Sequence, residues 1–218
     1  LDGTGETRRA FFTGTIPAGK EMGGYALHPA SATLSGTTLK AVLPQEITPS
    51  SAGSCSVMAA EIGNSSEITF RQLMSYFTVQ IGNVSTEAVK IELKADNNLS
   101  GEVSATLPEA FATGIAAQEG SNSLIVTLPE KRESTVTVTF AVPVGEYGSL
   151  TATAYDASGK DIGQVECLTT PINAELADMR TISATLPKYA PQEPIEGTVL
   201  VAGIYWALGN LQHVVGNT

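Results

Sequence analysis

Histidine is nearly missing from this chain: His28 and His213 are the two among 218 residues. Acid–base and nucleophilic catalysis near neutral pH draw most often on an imidazole, and neither histidine stands in a motif that supplies it with a partner. His28 precedes Pro29, which favours an extended backbone at a strand end, and His213 lies in the C-terminal tail. Cysteine is as scarce. Cys55 and Cys167 are too few for a disulfide scaffold and too far apart for a zinc or redox motif. Aromatic residues make up 6% of the chain, with Trp206 the single tryptophan, which argues against a broad stacking platform for sugars. Basic residues are outnumbered, 12 against 22 acids, and the net charge of −10 repels phosphate backbones, so nucleic acid is not an expected partner. The longest apolar run, Val199 to Leu208, is half of the roughly 20 residues that a membrane-crossing helix needs. Leu1 to Ala10 lack the apolar stretch of a signal peptide. No Walker-type loop, Gly-x-Ser-x-Gly, Gly-x-Gly-x-x-Gly or His-Glu-x-x-His occurs. These absences lead us to expect neither enzyme nor cofactor.

What the chain does contain is 42% apolar residues, with 25 threonines, 18 serines and 21 glycines, a mixture that suits solvated strand faces and tight turns. Period two dominates. In Thr135 to Val142 the residues Val136, Val138, Phe140 and Val142 alternate with Thr135, Thr137, Thr139 and Ala141, which predicts a strand with one buried face. The same alternation runs through Phe77 to Ile81, Val89 to Lys94 and Leu124 to Leu128. Further strands are expected at Ala10–Ile16, Gly24–Leu27, Thr38–Leu43, Ser56–Ala60, Val103–Leu107, Leu150–Tyr155, Ile162–Leu168 and Thr181–Leu186. Leu43-Pro44, Leu107-Pro108, Leu128-Pro129 and Leu186-Pro187 read as strand ends, where a missing N–H is tolerated. Helical composition is confined to Glu109–Gln118 and Ala174–Arg180. The fold class expected is therefore all-β, with sandwich architecture.

Asp96-Asn97-Asn98-Leu99-Ser100-Gly101 resembles the first half of a calcium loop, but Leu107 stands where the bidentate glutamate belongs, so a plain hairpin turn is expected there and no metal. Asp156 to Asp161 reads as a hairpin turn between Thr153 and Gln164. The polar joint Ile81 to Thr86 suggests a boundary that divides the chain into residues 1–83 and 84–190, and the Pro-containing segment Tyr189 to Pro194 opens a linker and extended tail over residues 191–218. On that division Cys55 and Cys167 fall in different domains, so both are expected to be free thiols.

Several segments, taken in order, resemble the fimbrillin-like family of Bacteroidales surface proteins, the subunits of type V pili. Ala10 to Pro17 followed by Gly24-Tyr25-Ala26-Leu27-His28-Pro29 resembles the family's strand pair ending in a tyrosine, alanine and proline element. Ser56-Val57-Met58-Ala59-Ala60 is similar to its Met-x-Ala strand, and Phe70 to Val79 to its Phe-x-x-Leu strand. Ala88 to Leu93 with Leu99 to Val103 resembles the opening hairpin of the C-terminal domain, and Val142 to Tyr147 with Ala154 to Lys160 its later turn and hairpin.

The resemblance implies two tandem transthyretin-like β-sandwich domains, the first lacking N-terminal strands. It implies a structural or adhesive pilus subunit, made as an outer-membrane lipoprotein and assembled at the cell surface, in a fimbrium, by β-strand addition between subunits. Partners are then other pilus subunits and a host or bacterial surface receptor, and membrane contact runs only through a lipid anchor that is missing here. The family's upstream segment and lipobox cysteine are absent, so a chain truncated or matured at its start is expected. Arg8 and Arg9 are the candidate maturation site, weighed against two solvated charges on an edge strand. In the tail, Val199, Leu200, Val201, Ala202, Ile204, Tyr205, Trp206 and Leu208 are candidate donor-strand side chains, with the start of a further domain or an intramolecular edge strand as alternatives. A carbohydrate-binding sandwich module is the competing function, and a hydrolase on the same scaffold would need a carboxylate pair that spacing does not reveal.

Overall fold

Strands with one apolar row need a second sheet to cover that row, and this chain meets the need twice. The computed structural model describes residues 18–19, 23–50, 56–63, 68–116 and 120–189, together with the backbone of 198–201 and 204–207. Numbered in chain order, the larger lobe packs a five-stranded sheet against a three-stranded one. The first has the order β14 (Asp161–Glu166), β13 (Leu150–Asp156), β8 (Ala88–Ala95), β10 (Ser123–Thr127) and β4 (Glu46–Ile47). The second has the order β11 (Val136–Val142), β7 (Ser75–Gly82) and β16 (Met179–Thr185). Between them lie Phe77, Val79 and Ile81 of β7, Ile91 and Leu93 of β8, Leu124 and Val126 of β10, and Val138, Phe140 and Val142 of β11. The alternation read in Thr135–Val142 is thus realised, with the valines and Phe140 inward and Thr137 exposed.

The smaller lobe sets β1 (Tyr25–His28), β5 (Met58–Glu61) and β6 (Arg71–Gln72) across from β2 (Thr33–Ser35), β3 (Thr38–Leu43) and β9 (Gly101–Thr106). Its core holds Leu39, Ala41 and Leu43 of β3, Val103 of β9, Ala59 of β5, and Leu73, Met74, Leu107 and Ile115 from the connections. β12 (Gly145–Tyr147) pairs with β15 (Ile172–Ala174) beside the larger core. All four Leu-Pro pairs end or directly follow a strand, and each leucine is buried, so they close cores as well as punctuate them.

Four expectations need correction. Residue 83 does not separate the two cores: β7 before it and β8 after it line the same one, while β9 crosses back to pair with β3 through Thr38↔Thr106 to Leu43↔Gly101. Asp96–Gly101 is not a hairpin turn, because β8 pairs with β10 and β13 while β9 belongs to the other lobe; the segment is a corner between sheets. Ala174–Arg180 is not helical. β15 ends at Ala174, Ala177 takes a positive φ of 58°, and β16 begins at Met179, its parallel pairing with β7 overriding the alanine content. Glu109–Gln118 yields one turn, α1 (Ala110–Thr113), stopped by Gly114 at φ 74°, where a Cβ would lie 2.7 Å from Val144 Cγ1.

The tail is also not one continuous strand. β17 (Thr198–Val201) and β18 (Ile204–Ala207) pair antiparallel with each other, Thr198↔Ala207 to Val201↔Ile204. Ala202 and Gly203, which separate the two strands in the sequence, lie outside the described residues.

Candidate functional site

A sheet edge that nothing blunts is a surface for strand addition, so the edges decide where this fold can join another chain. The five-stranded sheet is protected at both ends. β14 carries Asp161 and Glu166, and β4 is two residues long and includes Glu46. Its outer face is charged and internally bonded. Glu92 accepts from Ser123 Oγ at 2.6 Å and Tyr155 Oη at 3.1 Å, and Lys90 Nζ lies 5.1 Å from the Tyr155 ring. The Ser123 hydrogen bond, ahead of the smaller contributions, lowers the Glu92 pKa, while burial foremost raises that of Tyr155.

The three-stranded sheet differs. β11 is its end strand, seven residues of Val-Thr-Val-Thr-Phe-Ala-Val with no charge, paired on one side with β7 and on the other with no strand among the described residues. Register places Thr137, Gln80 and Ser183 in one outward row and Thr139, Thr78 and Thr181 in the next. Thr78 and Thr139 share a hydrogen bond of 2.9 Å, and Ser183 Oγ lies 3.4 Å from Gln80 Oε1. Both rows are free of charge. Adding a strand at β11 therefore requires no ion to be stripped of water. The opposite end strand, β16, carries Arg180, which is engaged by Asp178 at 2.7 Å.

The corner that sends β9 into the smaller lobe is held from the larger one. Tyr147, fully buried, donates its hydroxyl toward the carbonyls of Asn98 and Pro143, each at 3.1 Å. The Asp96 carboxylate accepts from the N–H groups of Gly148 and Ser149, and Asn97 Nδ2 donates to Glu146 O. Asp96, the first residue of the calcium-like stretch, is thus engaged in capping a loop.

Among the described residues no group of three or more His, Cys, Asp or Glu side chains is placed to hold a metal ion. Cys167 is a buried free thiol whose pKa burial pushes up to about 11, which makes it unreactive. His28 ends β1 opposite Met58. Of the residues singled out from the sequence, Arg8, Arg9, Cys55, Ala202, Leu208 and His213 lie outside the described residues, as does the expected Ala10–Ile16 strand. Val199, Leu200 and Val201 lie on β17, and Ile204, Tyr205 and Trp206 on β18. The β11 edge was readable as a strand but not as an edge, since sheet order comes from pairing partners far away in sequence.

No family model and no curated protein matches the chain. Solved structures do. A crystal structure from Bacteroides ovatus, provisionally described as that of a cell adhesion protein, superposes with a TM-score of 0.51 at 11% identity over 82% of this chain and 69% of that one. The likeness is one of fold. A second structure, of a Bacteroides uniformis protein with the same provisional description, gives a TM-score of 0.45 at 11% identity over 74% of this chain and 66% of the other.

Proposed function

We propose that this chain is a structural or adhesive subunit of a cell-surface fimbrium, a binding and building protein without enzymatic activity. The observation that carries the reading is the fold shared with the provisionally described Bacteroides ovatus adhesion protein, joined to the order of fimbrillin-like motifs along the sequence. Its lobes correspond in this reading to the family's tandem transthyretin-like sandwiches, amended by the crossing of β4 and β9 between them. Assembly proceeds by strand addition, and β11 is the acceptor edge the chemistry favours: long, uncharged and unpartnered among the described residues. The partners are other subunits and a surface receptor, and attachment to the outer membrane runs through a lipid anchor.

Two experiments test the reading. Gold-labelled antibodies to the chain should decorate filaments on the native cell surface, and the reading fails if neither filaments nor outer-membrane material is labelled. Deleting residues 195–218 separates the roles of the tail: lost polymer with an unchanged monomer melting point makes it a donor, whereas undiminished polymer removes it from assembly.

A further inference from the structure

The inward row of β5 continues the apolar pair Val57 and Ala59, both buried, into Glu61, which is exposed. Strand pairing puts Tyr25 opposite Glu61 and Arg71 opposite Ala59, and cross-strand partners project from the same face of a sheet. The inner face of the smaller lobe's sheet therefore changes, at one end, from a core surface to a mouth bearing a phenol, a carboxylate and a guanidinium. From the other side α1 supplies Phe111. Its ring centroid lies 6.3 Å from that of Tyr25, tilted by 36°, and the Arg71 guanidinium sits 5.4 Å from its centroid. Glu61, Thr69, Arg71 and Phe111 line an open cleft of about 200 Å³.

We infer that this cleft is a binding site for a single neutral sugar ring, the terminal or side-chain pyranose of a glycan. Its volume falls below the roughly 300 Å³ at which sites for drug-sized ligands begin, so it admits one ring. Glu61 and Arg71 do not neutralise each other: the ion pairs among the described residues are Lys40–Glu102 and Arg180–Asp178. An anionic ligand would meet Glu61 and a protein of net charge −10, and a cationic one would meet Arg71. A neutral ring with adjacent hydroxyls satisfies both, donating to the carboxylate and accepting from the guanidinium, while Thr69 can do either. The Phe111 ring, which lines the cleft, supplies apolar surface for the C–H face of such a ring. A solvated rim accounts for each polar residue alone. It does not account for opposite charges that, among the described residues, line one cleft beside an aromatic ring without pairing with each other. The site deepens the adhesive half of the proposed function and rests on that reading only for its biological setting.

Saturation-transfer difference NMR on the monomer tests the site directly, with glucose, galactose, mannose and N-acetylglucosamine as probes and glucuronic acid and glucosamine as charged controls. At least one neutral sugar should bind, and Glu61→Ala and Arg71→Ala should each weaken it about tenfold, as loss of one charged hydrogen bond does, with melting temperatures unchanged. The inference is overturned if no neutral sugar binds at roughly 10 mM, a weak-binding ceiling, if a charged control binds as well, or if either variant binds undiminished. Electron microscopy of the same preparation reads assembly separately, so a sugar-binding chain that forms no filaments would retain the site and refute the pilus.

Discussion

Removing one oxygen from Tyr147 should loosen the junction between the lobes more than it weakens the larger core. The ring is fully buried, with its edge toward Phe77 at a centroid distance of 5.0 Å and an interplanar angle of 72°. Tyr147→Phe keeps that contact and deletes the hydroxyl that reaches Pro143 O, which is buried, and Asn98 O in the corner leading to β9. A hydrogen bond lost from a buried carbonyl costs about 1–2 kcal/mol, which for a chain of this size lowers the melting temperature by roughly 2–8 °C. Tyr147→Ala also removes the ring and should cost about 3–5 kcal/mol. Urea unfolding gives the first pair of numbers. Hydrogen exchange locates them: the Leu99 and Ser100 amides, which donate to Ser121 O at 2.9 and 3.0 Å, should exchange faster in Tyr147→Phe while the amides of β7 and β8 are unchanged. An alkaline titration supplies the sign. Burial first, and the Asp96 charge second, raise the phenol's pKa in the folded chain. The unfolded chain therefore loses its proton first, near pH 10, and stability present below that pH declines as pH rises beyond it. Tyr147→Phe lacks this contribution, so wild type minus variant isolates it from Tyr76 and Tyr155, whose pKa values are also raised. A variant within about 0.5 kcal/mol of wild type, the range of an ordinary surface change, would refute the reasoning.

Three further outcomes are expected. Arg132→Met should destabilise by about 2–3 kcal/mol in urea, because the guanidinium donates to Pro129 O at 2.9 Å, Ser85 O at 2.7 Å and Ala88 O, tying two loops together; a change below about 0.5 kcal/mol would show those bonds to be replaced by water. Cys167 should resist iodoacetamide at pH 8 in the folded chain and react on unfolding, since burial holds its thiol neutral up to about pH 11; rapid alkylation of the native protein would contradict its placement. Thr137→Lys puts a charge on the exposed side of the β11 edge and should suppress filament growth while leaving monomer stability within about 0.5 kcal/mol, and filaments formed at the wild-type rate would remove β11 from assembly.

Local pattern was the legible part of this fold. Alternation in Thr135–Val142 and the turn at Asp156–Asp161, with Thr153 paired to Gln164, both follow from short-range chemistry. Strands of two or three residues, β2, β4, β6, β12 and β15, are too short for a period to register. Pairing across long separations carries no local trace either: Lys40 meets Ser104 across β3 and β9, and Glu46 meets Ile125 across β4 and β10. A boundary placed by composition at residue 83 missed those crossings. In the tail, what reads in sequence as one apolar run holds two short strands, β17 and β18, that pair with each other.

The same limit explains why the sugar cleft has no signature in the chain. Glu61 reads in sequence as the polar end of a Val-Met-Ala-Ala strand, and Arg71 as the polar start of another. Neither position is unusual alone. Only the register Ala59↔Arg71 together with Tyr25↔Glu61 puts the two charges on the side where Val57 and Ala59 are buried, and only α1, one turn long, brings Phe111 against Tyr25 and Arg71. The scarcity of aromatic residues argued against a broad sugar platform, and the structure offers none at this mouth. A one-ring cleft needs no platform, because two charged hydrogen-bonding groups supply the specificity that stacking area supplies elsewhere.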